Sequence, residues 1–128
     1  MQILYDTSIA IALRDGSPPI LARHEQSDAA ASISVVTMVE LEGGVARSAV
    51  GRGQRRAALD AVYENFGVLA FTSQEATVYG QIVRQLGFAR SKIIDRMIAA
   101  TAMTHGLRLA TLNARDFRAI AGLQLETW

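Results

Sequence analysis

Short apolar runs alternating with helical patterns predict an α/β fold for this chain: a single domain over residues 1–128, with a mainly parallel sheet flanked by helices. A second observation agrees. Four acids, Asp6, Glu40, Asp95 and Asp116, each fall where such a fold brings chain to one sheet edge. Open parallel sheets bind ligands beyond the carboxyl ends of their strands, so these acids are placed to meet. Carboxylates at such range repel, and at least one is pushed toward protonation unless a cation intervenes. Mg²⁺ and Mn²⁺ take oxygen ligands, so the four acids suggest a divalent-metal site.

The first apolar run, residues 3–5, reads as a strand ended by Asp6. Residues 7–13 form a short helix stopped at Asp15-Gly16, and Ser17-Pro18-Pro19 opens a second helix through about His24. A strand near residues 33–36 follows. Thr37-x-x-Glu40 has capping-box spacing and predicts a helix reaching roughly Ser48, after which Gly51 and Gly53 break the pattern. The next helix runs from about Gln54 to Phe66, and residues 68–71 look like a short strand. Thr72-x-x-Glu75 is a second capping box, opening a helix that Gly87 ends. Residues 92–105 make another helix, with Asp95 in its opening and Gly106 as its stop. Strands near 107–111 and 123–126 complete the sheet.

At 128 residues and 50% hydrophobic content there is material for one core and little for two. No cysteine is present, which excludes disulfides and thiolate metal sites and makes a reducing cytoplasm the simplest compartment. No basic segment precedes the first apolar run, and no stretch approaches the roughly 18 apolar residues of a membrane span. No membrane partner is expected. A net charge of +1 does not advertise a nucleic-acid binder, although local basic clusters can still contact phosphate. The absence of a Gly-rich phosphate loop argues against nucleotide hydrolysis.

Capping and solvation account for most acids in ordinary domains, and each of the four has that alternative. Glu40 stands at the capping-box offset from Thr37, so capping and metal binding compete there. Gly43 and Gly44 lie on its helical face and leave the approach open, whereas Glu42, about 200° round the helix, is expected to face water. Asp95 shares a face with Ile98, Ala99 and Ala102, which should be buried. An unpartnered carboxylate is costly there, which favours a functional pocket over simple placement at the helix dipole. Asp6 and Asp116 taken alone are ordinary turn acids, and Asn113 is a natural cap. The hydroxyls of Ser8 and Thr111 serve either a turn or a hydrogen bond to an acid. The combination carries the inference.

Taken in order, these motifs resemble a known family, the PIN-domain ribonucleases, and most closely the VapC toxins of toxin–antitoxin pairs. Leu4-Tyr5-Asp6-Thr7-Ser8 is similar to the first family motif, and Thr37-Met38-Val39-Glu40-Leu41-Glu42-Gly43-Gly44 to the second. Asp95-Arg96-Met97-Ile98-Ala99-Ala100-Thr101-Ala102 is similar to the third, and Thr111-Leu112-Asn113-Ala114-Arg115-Asp116-Phe117 to the fourth. Ser8 departs mildly, since many relatives carry Asn there. The resemblance implies an endoribonuclease that uses Mg²⁺ or Mn²⁺ and leaves 3′-hydroxyl and 5′-phosphate ends. It implies Asp6, Glu40 and Asp95 as catalytic metal ligands, with Asp116 a ligand directly or through water. Thr7, Ser8, Thr111 and Asn113 would orient these acids by hydrogen bonds. A cognate VapB-type antitoxin, an RNA substrate and a homodimer are also implied.

Arg47, Arg52, Arg55, Arg56, Arg90, Lys92 and Arg96 either attract phosphate or solubilise helices, and the cluster at residues 52–56 is the more suggestive. His24 and His105 have no nearby nucleophile and read as surface or helix-end histidines; Tyr5, Tyr63, Tyr79 and Trp128 read as core or interface aromatics. Two rival classes remain. A response-regulator-like phosphoacceptor fits poorly, because one acid rather than a pair follows the first strand and no lysine follows the last long one. A catalytically silent PIN-like module that binds RNA or protein differs from the enzyme only in turnover.

Overall fold

The computed structural model describes residues 2–47 and 51–128. Its elements are β1 (Gln2–Tyr5), α1 (Thr7–Arg14), α2 (Pro18–Gln26), β2 (Ala30–Ser34), α3 (Val35–Arg47), α4 (Arg52–Asn65), β3 (Gly67–Leu69), α5 (Ser73–Leu86), α6 (Ile93–Thr104), β4 (Arg108–Thr111) and β5 (Leu125–Thr127). Short 3₁₀ turns cover Arg90–Lys92 and Ala114–Asp116. The five strands form one sheet in the order β3-β2-β1-β4-β5, and every neighbouring pair is parallel. This is the predicted architecture. No helix among the described residues is long and apolar enough to cross a membrane.

Two cores result from covering both faces. Because side chains alternate along a strand, Ile3 and Tyr5 of β1 enter one core with Ile9, Ile20, Leu41 and Leu59, whereas Leu4 enters the other with Ile82, Ile98, Leu109 and Phe117. A strand buried on both faces must be apolar throughout, which is why residues 3–5 read as an unbroken hydrophobic run. Order in the sheet runs outward from β1 through β2 and β3 on one side, and through β4 and β5 on the other. The crevice between the carboxyl ends of β1 and β4 is therefore the switch point, where a doubly wound sheet presents its ligand site.

Most elements fall where the sequence places them, with shifts at their ends. The Thr72-Glu75 capping box forms as predicted, and Gly87 (φ 81°) ends α5. Gly106 (φ 64°) ends α6 in the left-handed conformation that glycine adopts without strain. The Thr37-Glu40 capping box does not form. Strand β2 ends two residues earlier than expected and runs straight into α3, where the Ser34 hydroxyl accepts the amide of Val36 at 3.0 Å. Thr37 and Glu40 thus lie inside the helix, with no helix start to cap. Helix α4 begins at Arg52, so Gly53 is helical rather than a breaker. The expected end of α3 near Ser48 lies outside the described residues.

Candidate active site

Asp6 stands directly after β1 and is the N-cap of α1, its backbone still extended (φ −75°, ψ 178°). Its amide donates to the Ala110 carbonyl at 3.1 Å, which fixes it beside the end of β4. The carboxylate is almost fully covered, at 4% exposure, and both oxygens are occupied. Oδ1 accepts the Ser8 hydroxyl at 2.5 Å and the Ile9 amide at 3.0 Å, while Oδ2 accepts the Thr111 hydroxyl at 2.5 Å. Burial nevertheless outweighs these three donors and holds the Asp6 carboxyl above its ordinary range. The two hydroxyls reach further: Ser8 Oγ accepts the Leu112 amide and Thr111 Oγ1 the Asn113 amide. Asn113 therefore contributes through its backbone, and the loop after β4 is strapped to the acid it faces.

Glu40 is held from the opposite side. The Thr7 hydroxyl donates to Glu40 Oε1 at 2.6 Å and lies 3.1 Å from the Thr37 hydroxyl. Since the single Thr7 proton goes to Glu40, Thr37 must be the donor in the second contact. The residue expected to cap α3 thus supports the hydroxyl that orients Glu40. Helix α1 presents Thr7, Ile11 and Arg14, and α3 presents Glu40, Gly43, Gly44 and Arg47, to a shared cavity of about 570 Å³. Both sets follow the i, i+3/i+4, i+7 spacing of one helical face. The open approach expected from the two glycines is present, since a Cβ at either would meet only a guanidinium nitrogen, at 3.9 and 3.8 Å.

Asp95 lies in the first turn of α6, above Ile98, Ala99 and Ala102, which are all buried. No hydrogen bond to its carboxylate is found among the described residues. Its carboxyl is pushed up, chiefly by burial, then by the charge of Asp116 and more weakly by Glu40 and Asp6, with Lys92 opposing. The other three predicted acids therefore all bear on Asp95 across this edge. Asp116, at the end of its 3₁₀ turn, accepts from Lys92 Nζ at 3.0 Å and borders a cavity of about 480 Å³ with Arg115 and Arg118.

Among the described residues, no group of three or more His, Asp or Glu side chains is arranged to hold a metal ion as it stands. The four predicted acids are thus not brought together as a ligand shell; what links them is the charge that Asp116, Glu40 and Asp6 exert on Asp95. The donors explain why: Asp6, Glu40 and Asp116 are drawn to hydroxyls, an amide and an ammonium. The set still fits a hard divalent cation in its chemistry, being all oxygen, and in its charge, since three carboxylates bear on Asp95, Lys92 only partly offsets them, and no donor to its carboxylate is found among the described residues.

The predicted basic residues divide. Arg47 and Arg55 border the Glu40 cavity. Arg96 does not serve the site: it is only 9% exposed, and its guanidinium donates to the Gly87 carbonyl at 2.6 Å, tying α6 to the end of α5. Arg56 is likewise engaged, donating to Glu42 at 2.8 Å and to Asp60 at 2.6 Å. Glu42 also accepts the Tyr63 hydroxyl at 2.6 Å, so it joins α3 to α4 instead of facing water alone. Exposed Arg52 lies at the start of α4. Both histidines are helix-end residues as expected: His105 ends α6 against Glu75, and half-buried His24, in the last turn of α2, bonds the Tyr5 hydroxyl at 2.7 Å. Sequence reading missed Arg14, Arg115 and Arg118. The first was accessible as the i+7 partner of Thr7; the other two depended on where the loop after β4 turns.

Comparison with known proteins agrees with this fold. The family model described as PIN domain matches residues 3–123. The chain belongs to the PIN-domain family, in its VapC group. It is 37% identical to Ribonuclease VapC1 of Rickettsia felis, over 99% of this chain and 96% of that protein. It is 28% identical to the tRNA(fMet)-specific endonuclease VapC of Shigella flexneri, over 100% and 98%. Among solved structures, DNA-bound VapBC from Salmonella typhimurium is similar with a TM-score of 0.85 and 26% identity, covering 100% of this chain and 98% of that one. VapBC2 from Rickettsia felis, bound to a promoter DNA fragment, has the same fold with a TM-score of 0.87 at 24% identity, covering 100% and 99%.

Proposed function

We propose that this protein is an endoribonuclease that hydrolyses RNA phosphodiester bonds with the help of Mg²⁺ or Mn²⁺, and that it is the toxin of a toxin–antitoxin pair. The observation that carries the reading is the assembly at the switch point. Asp6 is locked across β1 and β4 by Thr111, and the Asp95 carboxyl is pushed up chiefly by burial and then by the charges of Asp116, Glu40 and Asp6. Relatives named as ribonucleases over their full length support the chemistry, and neighbours solved as toxin–antitoxin complexes support a VapB-type antitoxin as partner.

Asp6, Glu40 and Asp95 would hold the ion, with Asp116 beside them. When bound, the ion supplies charge neutralisation at the phosphate and lowers the pKa of water. The chain's own residues prepare that chemistry. Ser8, Thr111 and the Ile9 amide fix the Asp6 carboxylate, and the Thr37-Thr7 relay fixes Glu40, so both keep one orientation as RNA arrives. Arg14, Arg47 and Arg55 border the adjoining cavity and would neutralise flanking phosphates. Arg14 is already paired with Asp15 at 2.9 Å, so it contributes less than the other two.

A catalytically silent module would keep the same acids without turnover. Sequencing new RNA 5′ ends after brief induction without antitoxin separates the two. The enzyme yields discrete new 5′-phosphate ends that vanish in Asp95→Asn and on coexpression of the antitoxin. Identical 5′-end profiles for wild type and Asp95→Asn would favour the silent module. Transfer RNA is the first substrate class to map, because two relatives at 28% identity are named for tRNA(fMet).

A further inference from the structure

Lys92 ends the 3₁₀ turn before α6 and is the N-cap position of that helix, three residues ahead of Asp95. Its ammonium stands 3.0 Å from Asp116 Oδ1, with the two side chains 36% and 40% exposed. The pair thus faces the open edge of the site, where charges can be exchanged, and is not locked in the core. We propose that the Lys92 ammonium is a built-in counter-ion for the Asp95–Asp116 half of the site, and that it restricts the site to one divalent ion per chain.

The inference rests on the metal-binding reading given above and deepens it. Two-ion nucleases place a second cation about 3.5–4 Å from the first, and it needs carboxylate oxygen beyond what the first ion takes up. Here Asp116, the acid left over once Asp6, Glu40 and Asp95 hold the first ion, already accepts from a positive group. A divalent ion entering at Asp116 must displace an ammonium or sit against it, and like charges at that range repel. Asp95, whose carboxylate accepts no hydrogen bond among the described residues, stays available to the first ion. Lysine suits this role: it is a point charge on a flexible stem, able to screen Asp116 without fixing a planar geometry. Lys92 is therefore a positioning residue acting through Asp116.

Equilibrium Mn²⁺ binding to the purified full chain tests this, read from the free-Mn²⁺ paramagnetic resonance signal at neutral pH. Wild type should bind one Mn²⁺ per chain, Lys92→Gln should bind two, and Lys92→Arg, which keeps the charge, should bind one. Circular dichroism confirms that each variant is folded. Wild type binding two ions, or folded Lys92→Gln still binding one, would overturn the proposal while leaving RNA cleavage and the metal reading intact. Wild type binding no Mn²⁺ would overturn both. Because the wild-type stoichiometry decides on its own, a misfolded variant does not remove the test.

Discussion

The Thr111 hydroxyl donates to Asp6 Oδ2 at 2.5 Å, joining residues 105 positions apart in sequence across the ends of two neighbouring parallel strands. Both groups are buried, so neither has water to fall back on. Replacing Thr111 by Val removes the donor and leaves a carboxylate oxygen unsatisfied. That should cost about 1–3 kcal/mol of stability at neutral pH. Urea unfolding measures the loss, and cleavage should fall more than the folded fraction does, because Asp6 also loses its orientation. A Thr111→Val protein as stable as wild type would show that the contact does not hold the site.

Metal-free stability should fall as pH rises from mildly acidic toward neutral. Asp6 and Asp95 both have raised carboxyl pKa values, mainly from burial. A raised folded value means the native state holds more protons than the unfolded chain above the ordinary value of about 3.9. The penalty therefore grows from there and is complete once pH exceeds the raised values. Asp95→Asn should flatten this slope and melt at or above wild type at neutral pH in EDTA. Below that window Glu75 governs instead: its pKa is lowered to about 2, chiefly by the Thr72 hydroxyl, so its contribution is present above about pH 4.3 and is lost as pH falls through about 2. Thermal melts across both windows give the two opposite slopes. If Asp95→Asn melts well below wild type at neutral pH without metal, Asp95 is a structural partner.

The arginines should separate by role. Arg47→Ala and Arg55→Ala leave the fold intact but remove phosphate contacts, so the slope of log affinity for single-stranded RNA against log salt should shrink by about 0.7 per arginine. Arg96→Met should do the reverse: a stability loss of about 1.5–3 kcal/mol from the Gly87 contact, with an unchanged salt slope. Filter binding at several salt concentrations distinguishes them. Equal slopes for Arg47→Ala and wild type would remove that residue from the RNA path.

The strand runs and the helix stops at Gly87 and Gly106 were legible because they are local: burial on two faces forces a continuous apolar run, and glycine marks a left-handed end. The meeting of Asp6 with the chain after β4 was legible because the order of a parallel sheet determines which strand ends meet. Side-chain partners between distant segments were not. Thr37-x-x-Glu40 matches a capping box in spacing, but whether it caps depends on where β2 stops, and Ser34 had already taken the task. Arg96 and Arg56 look like free cations until tertiary packing supplies the Gly87 carbonyl and Glu42. Lys92 shows the same limit, since its partner lies 24 residues further along the chain.

The most direct measurement of the central claim is cleavage of a transfer RNA pool by purified wild type and Asp95→Asn, after EDTA treatment and then with Mg²⁺ or Mn²⁺ restored. Wild type should be silent in EDTA and regain cleavage with either ion, while Asp95→Asn, folded by circular dichroism, should stay inactive at every ion concentration. Metal-restored cleavage by Asp95→Asn at the wild-type rate would contradict the account, because the acid most strongly placed among its neighbours would then have no part in holding the ion.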